Sequence, residues 1–304
     1  MNIAVTGASG FVGRNLVPYL KQLNHNVLSF SRSNSFDYSN IDSSFLDINN
    51  VDVIIHLAGK AHDIKKIAKT SEYFEVNTNL TISLFNAFLN SDASIFIYFS
   101  SIKALTDKGN LPITEEFEAN PISIYGKSKL KAETYIQSIV IPPSKKVFIL
   151  RPCMVHGPGN KGNLNLLYKL VSKSLPWPLG AFDNLRSFCS IDNILFIIKE
   201  LIERQDILSG VYNVADDEPL STNSIISLIA LSQDRKAKIW KLPKSFIFVL
   251  AKLGDVFRLP LNNERLQKLT ESYVVSNKKL ILAIGKSLPV SSKVGLMKTL
   301  KSFK

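Results

Sequence analysis

The sequence predicts an α/β fold: a doubly wound parallel sheet followed by a smaller C-terminal lobe. Three observations predict it. Short apolar runs alternate with longer segments of helical spacing through the first half of the chain. A glycine-rich turn joins the first run to the first helical segment. After Arg151-Pro152 the texture changes to short pieces broken by proline and glycine. Strand–helix alternation implies right-handed crossovers, with helices on both faces of the sheet.

Taken in order, strands are expected over residues 2–6, 27–31, 53–57, 95–99 and 147–150. Each run is short, rich in β-branched or aromatic residues, and bounded by Gly, Asp, Asn or Ser, which suits strands buried on both faces. The segments 11–23, 72–89 and 124–139 have helical spacing. Beyond Pro152 we expect helices near 164–172 and 192–204, a strand over 211–214 that returns to the main sheet, and a helix from about 222. A strand near 237–242 and amphipathic helices complete the chain. No repeat or low-complexity linker is visible. Two lobes sharing chain segments are therefore expected: residues 1–155 with a returning segment near 186–216, and residues 156–304 as the main part of the second lobe.

Composition narrows the functional classes. The chain has 304 residues, 45% hydrophobic and 20% charged, with Lys+Arg 37 against Asp+Glu 25 for a net charge of +12. The lysines are scattered rather than gathered into one stripe with aromatics, so nucleic-acid binding is not expected. Two cysteines exclude a disulfide scaffold and suit a reducing compartment, and with no secretory leader visible a cytoplasmic location is expected. The most apolar later stretch, residues 246–257, is broken by Lys252 and Asp255 and is too short to span a bilayer, so no membrane insertion is expected. Cys153, Cys189, His25, His56, His62 and His156 show no ligand spacing, and no metal site is expected. Trp177 and Phe182 could wall a ligand or pack a core.

Residues 6–13 read TGASGFVG. Gly7 permits the sharp turn out of the strand, Gly10 lets a pyrophosphate approach the backbone, and Gly13 allows helix and sheet to pack closely. The helix N-terminus then offers N–H groups and positive potential to phosphates. An NAD site usually carries a carboxylate at the end of the next strand. Here Ser29-Phe30-Ser31-Arg32-Ser33 holds none, and Arg32 could pair with a 2′-phosphate. The expected cofactor is NADP(H) rather than NAD(H).

Tyr125 and Lys129 lie four apart at a helix start, hence on one face. Ser101 follows the fourth strand, whose C-terminal end lines the ligand crevice of such a sheet. The trio suits hydride chemistry. A nearby ammonium lowers a phenol from about 10 toward working pH, and a serine hydroxyl holds the reacting oxygen.

With these motifs in view, the chain resembles an extended short-chain dehydrogenase/reductase of the NAD-dependent epimerase/dehydratase family. TGASGFVG, HLAG (56–59), VNTNLT (76–81), FSSIK (99–103), YGKSK (125–129), RPCMVHGPG (151–159) and RSFCSIDN (186–193) arrive in that family's order. The resemblance implies a Rossmann-type sheet and a C-terminal substrate-binding lobe. It implies Ser101, Tyr125 and Lys129 as the catalytic set. It places Gly7, Ser9, Gly10, Phe11, Val12, Gly13, Leu57, Ala58 and Gly59 at the cofactor, Asp47 and Ile48 near adenine, and Asn77 in the active-site framework. A UDP-sugar is the implied substrate, its diphosphate held by Asn163, Arg186 and Arg265. Members that dehydrate a sugar carry an acid pair after the serine. Ile102 and Lys103 stand there instead, which argues against dehydration.

Within the family the local pattern is most similar to UDP-N-acetylquinovosamine dehydrogenases and UDP-glucose 4-epimerase-like proteins. This implies reduction of a UDP-4-keto-6-deoxy-N-acetylhexosamine in bacterial polysaccharide synthesis. C4 epimerisation with bound NAD and a non-catalytic dinucleotide sensor stay open. A homodimer is expected, and whether helices 72–89 and 124–139 form its contact stays open.

Overall fold

The computed structural model describes residues 1–31, 38–60, 69–109, 112–160, 162–257 and 261–303. In chain order, β1 (Asn2–Thr6), α1 (Phe11–Gln22) and β2 (Asn26–Phe30) precede α2 (Ser43–Ile48), β3 (Val53–His56), α3 (Thr70–Phe74), α4 (Leu80–Leu89) and β4 (Ile95–Phe99). Next come α5 (Ile124–Ser138), β5 (Lys146–Pro152), β6 (Met154–His156), α6 (Asn163–Ser172), β7 (Leu185–Arg186), β8 (Phe188–Ser190) and α7 (Ile191–Glu203). The chain closes with β9 (Gly210–Val214), β10 (Leu220–Ser221), α8 (Thr222–Leu231), α9 (Lys244–Phe257), α10 (Asn263–Thr270), α11 (Lys278–Ile284) and α12 (Ser292–Lys301).

Six strands form one parallel sheet in the order β2-β1-β3-β4-β5-β9. The chain steps from β1 outward to β2 and then returns on the other side to β3. The carboxyl ends of β1 and β3 therefore flank the switch point where α/β sheets bind ligands. Strand alternation divides the core between two faces. Ile3, Val5, Ile55 and Ile97 pack with Leu16 and Leu20 of α1 and Ile194, Ile197 and Ile198 of α7. Ala4, Ile54, Phe96 and Ile149 pack with Leu84, Phe85 and Phe88 of α4 and Ala132 and Ile136 of α5. A third cluster holds Trp177, Leu179, Phe182, Ile225, Ile226, Leu296 and Leu300.

The expected main-sheet strands form within a residue or so at most ends, and the segment near 211–214 does return to the sheet edge beside β5. Two local features depart from expectation. The helix expected over 72–89 contains a five-residue π turn, Glu75–Asn79, between α3 and α4. The segment near 237–242 forms isolated bridges to Trp177 and Leu179 rather than a ladder. Short α2 is an element that the sequence pattern does not signal, and it carries two expected site residues, Asp47 and Ile48. Among the described residues, no helix is long and apolar enough to cross a membrane.

Candidate active site

The turn after β1 is shaped by close approach. Gly7 has φ +69, and a Cβ there would stand 2.6 Å from the Ala58 nitrogen at the end of β3. A Cβ on Gly13 would stand 2.5 Å from the Gly7 carbonyl oxygen, so α1 can pack this near the strand only without one. Gly10 and Ser9 are exposed, and Gly10 caps α1 with no side-chain cap and no acidic residue in the first turn. That cradle fits a dinucleotide diphosphate: a glycine-lined approach to helix N–H groups with no competing carboxylate. Phe11 and Val12 pack back onto the sheet core.

Tyr38 is a neighbour that sequence reasoning missed. Its hydroxyl accepts from the Gly7 N–H at 3.3 Å and donates to the Phe30 carbonyl at 3.3 Å, which places it across the glycine turn. An aromatic residue between β2 and the next helix was the available signal. Arg32, the residue behind the NADP(H) expectation, lies outside the described residues. Asp47 and Ile48 require a correction. The chain forms α2 after residue 42, and that helix runs back from the crevice edge of the sheet. Asp47 accepts the Asp92 N–H at 2.8 Å, beyond the amino-terminal end of β4, and Ile48 is 80% exposed. Neither can lie beside an adenine at the opposite edge.

Behind the turn runs a buried polar chain. Thr6 Oγ1 accepts from the Ala58 N–H at 3.2 Å and pairs with His56 Nδ1 at 2.7 Å, while His56 Nε2 pairs with Thr81 Oγ1 at 2.9 Å. His56 is fully buried and stacks on Tyr98, so it packs rather than facing the crevice. Leu57 extends the strand pairing to Thr6. The π turn widens the helix at Asn77, a common use of such turns. Asn77 Oδ1 accepts the Lys60 N–H at 2.7 Å, and Nδ2 donates to the Lys60 carbonyl and to Ser128 Oγ at 2.9 Å. Asn77 thus ties the strand end after Gly59 to α5.

On the facing side, Gly126 lets the first turn of α5 sit against the turn after β4: a Cβ would collide with the Lys103 carbonyl oxygen and lie 2.8 Å from Pro121 Cβ. Asp107 holds the entry to α5, accepting the Ile122 and Ser123 N–H groups at 2.8 and 2.7 Å. This approach brings the Tyr125 hydroxyl toward Ser101, which eases its ionisation. Lys129, one turn on and 3% exposed, donates to the Phe99 carbonyl at 2.7 Å and lies over the Tyr98 ring. A Cβ on Gly59 would come 3.2 Å from both Lys129 Nζ and Asn77 Oδ1.

The electrostatics differ from the sequence expectation. Burial raises the Tyr125 hydroxyl above its usual phenol value, and Ser101 only partly opposes it. Burial also brings Lys129 down to about 7, with Glu133 opposing. An ammonium this close to neutrality has less charge to lend to a phenolate. Glu133 is fully buried, accepts from Ser100 Oγ, and pairs with Arg151, whose Nε donates at 3.0 and 3.1 Å. Lys103 is no freely exposed loop lysine: it donates to the Asp107 carbonyl at 2.9 Å and covers the Tyr273 ring.

In the C-terminal region, Arg186 lines a small cavity with Met154, Leu164, Phe188, Thr222 and Leu269. Its Nη2 donates to the Lys268 carbonyl, while its buried Nε has no partner among the described residues. A buried donor left unpaired costs about 1–3 kcal/mol, and a ligand oxygen would offset that cost. Arg265 is exposed on α10, and the Asn163 side chain lies outside what is described. Trp177 and Phe182 belong to the third cluster rather than to a ligand wall. Cys153 and Cys189 are buried, and burial pushes both thiols up. Among the described residues no cluster could hold a metal ion.

A family model described as the NAD dependent epimerase/dehydratase family matches residues 3–215. The chain is 33% identical over 259 residues to UDP-glucose 4-epimerase of Vibrio cholerae, covering 80% of this chain and 78% of that protein. A UDP-glucuronic acid 4-epimerase from Bacillus cereus, solved with NAD, superposes with a TM-score of 0.74 at 22% identity, covering 100% of this chain and 98% of the other. A dTDP-4-dehydrorhamnose reductase from Bacillus anthracis str. Ames, solved with NADP, does so with a TM-score of 0.74 at 19% identity and 98% coverage of each. At these identities the structural likeness is one of fold.

Proposed function

The chain belongs to the NAD-dependent epimerase/dehydratase family, and on that premise we propose that it is an oxidoreductase acting at C4 of a UDP-linked sugar. The observation that carries this reading is the approach of Tyr125 to Ser101 at the carboxyl edge of the sheet, with Lys129 one turn below and the glycine cradle opposite. When bound, NAD or NADP supplies and takes back the hydride. Tyr125 Oη gives or takes the accompanying proton at the sugar oxygen, and Ser101 holds that oxygen by a hydrogen bond. Lys129 reaches the same floor through the Phe99 carbonyl. Arg186 Nε is the donor we assign to the sugar diphosphate.

Two outcomes share this chemistry. Identity with the Vibrio cholerae epimerase favours C4 inversion, in which C4 loses hydride from one face and the resulting ketone regains it on the other. The lack of a carboxylate among residues 29–33, at the end of β2, favours exchangeable NADPH and 4-keto reduction of a UDP-4-keto-6-deoxy-N-acetylhexosamine. Supplying purified protein with a UDP-4-keto sugar and following NADPH absorbance, with UDP-N-acetylglucosamine tested for C4 inversion in parallel, separates them. Arg32→Ala should lower NADPH affinity relative to NADH; an unchanged ratio removes Arg32 from the reading. Tyr125→Phe should lower turnover about 10²–10⁴-fold with dinucleotide affinity retained. A variant that turns over normally would sink the proton assignment.

We also propose a homodimer across α4 and α5, whose outer faces form a groove lined by Ile82, Pro121, Leu130 and Tyr135. Light scattering on the purified chain tests it, with a monomer at all concentrations as the contrary result.

A further inference from the structure

We propose that α9 docks the protein on an anionic lipid bilayer, lying in the plane of the interface rather than crossing it. The helix is apolar on two sides. Ile247, Ala251 and Gly254 are buried, with the first two in the third cluster. A second stripe of Phe246, Val249, Leu250, Leu253, Val256 and Phe257 follows the same helical spacing and is left 36–73% exposed. On an ordinary surface helix this side is polar. A contiguous apolar patch of this kind on a folded chain marks an interaction surface.

Charge identifies the occupant. From Arg235 to Gly254 the chain carries Arg235, Lys236, Lys238, Lys241, Lys244 and Lys252 and no acidic residue, and all six basic residues are exposed. Asp255, the acid that follows, is engaged by Asn263 Nδ2 of α10 at 2.5 Å. Trp240, just before the helix, is 55% exposed, as suits an indole at a headgroup boundary. An apolar stripe bordered by lysines and an interfacial tryptophan complements acyl chains beneath anionic headgroups. A second copy of the same face would instead oppose two basic rows. The helix has 14 residues, about 21 Å at the α-helical rise, too short for a hydrocarbon core of about 30 Å. Docking therefore means lying flat.

The helix also touches the segment that leads to β7. Phe248 packs edge-on to Phe182 at 5.9 Å, and Lys244 covers the same ring. Four residues beyond Phe182 is Arg186 of β7. This inference stands on α9 itself and does not depend on which reaction occurs at C4.

The test is co-sedimentation of the full chain with vesicles of phosphatidylcholine containing about a third phosphatidylglycerol, against phosphatidylcholine alone. Binding should favour the anionic vesicles and weaken with added salt. Tryptophan emission should shift to the blue as Trp240 enters the interface, because the only other tryptophan, Trp177, is already buried. The pairs Leu253→Glu with Phe257→Glu, and Lys241→Glu with Lys244→Glu, should each weaken vesicle binding about ten-fold or more, with circular dichroism and dinucleotide affinity unchanged. Equal or absent binding to the two vesicle types overturns the proposal, as does wild-type binding by folded variants. If the apolar-to-glutamate pair instead dissolves a concentration-dependent dimer without lipid, the face belongs to a second copy.

Discussion

At His56 and Lys129 the same burial acts on two titratable groups with different consequences. Burial lowers His56 to about 3, with Lys129 adding to the effect, so the imidazole is neutral in the folded protein across ordinary pH. Its two threonine partners need that neutral ring, one nitrogen donating and the other accepting. An unfolded chain takes up a proton there near 6.5, which the folded chain refuses until about 3. The resulting stability is fully present above about pH 6.5 and is lost as pH falls toward 3. We expect about 2 kcal/mol to be lost between about pH 7 and pH 5 through this residue. Urea midpoints at the two pH values measure it, and His56→Gln should show a shallower fall than the parent. Equal slopes would remove His56 from the pH dependence. Lys129 works in the other window: its folded value of about 7 lies below the usual lysine value, so its contribution to stability grows as pH rises above 7.

The elements matter through where they nearly touch. Helix α5 carries Tyr125, Lys129 and Glu133 at four-residue intervals, but only its close approach to the turn after β4 converts that row into a site. Gly126→Ala should therefore do more than strain a helix start. With the Lys103 carbonyl in the way, α5 must retreat, at a cost of about 1–3 kcal/mol, and Tyr125 should move away from Ser101. The check is kcat against dinucleotide affinity: turnover should fall at least ten-fold more than affinity. Equal loss of both would mean general unfolding. The Glu133–Arg151 pair ties α5 to β5 just beneath this region. Removing one partner of such a buried pair leaves a bare charge and costs about 3–5 kcal/mol, so Arg151→Met should lower the thermal midpoint steeply.

Across the whole molecule, the C-terminal helices join the clusters. Leu280 and Ile284 of α11 belong to the sheet core, whereas Leu296 and Leu300 of α12 belong to the third cluster. The stretch from α11 to α12 thus runs from one cluster into the other, and thermal unfolding should be a single transition. Circular dichroism and fluorescence from Trp177, buried in the third cluster, should give coincident midpoints. Leu300→Ala should cost about 2–5 kcal/mol and move both midpoints together; separated midpoints would mean that the clusters melt independently. The net charge of +12 acts at this scale too, since it favours approach to anionic surfaces but does not choose the contact face. The exposed stripe of α9 makes that choice.

The sheet was legible in residues 2–6, 53–57 and 95–99 because strands buried on both faces must be apolar throughout, whatever surrounds them. The glycine turn and the spacing of Tyr125 and Lys129 were legible because backbone collision and helical pitch are local properties. Asp47 and Ile48 were misplaced because a matching dipeptide says nothing about which edge of the sheet a short helix carries it to. The π turn at Asn77 and the partnering of Lys103 likewise depend on neighbours distant in the chain. The same holds for the raised Tyr125 hydroxyl, since burial is set by what packs above a residue. Helix α9 is the clearest division: its amphipathic pattern is written in the sequence, but two apolar stripes on one helix look alike until a core covers one of them. Local sterics and hydrophobic spacing were decided by the chain alone, and desolvation by the assembled fold, because it depends on atoms brought together from far apart.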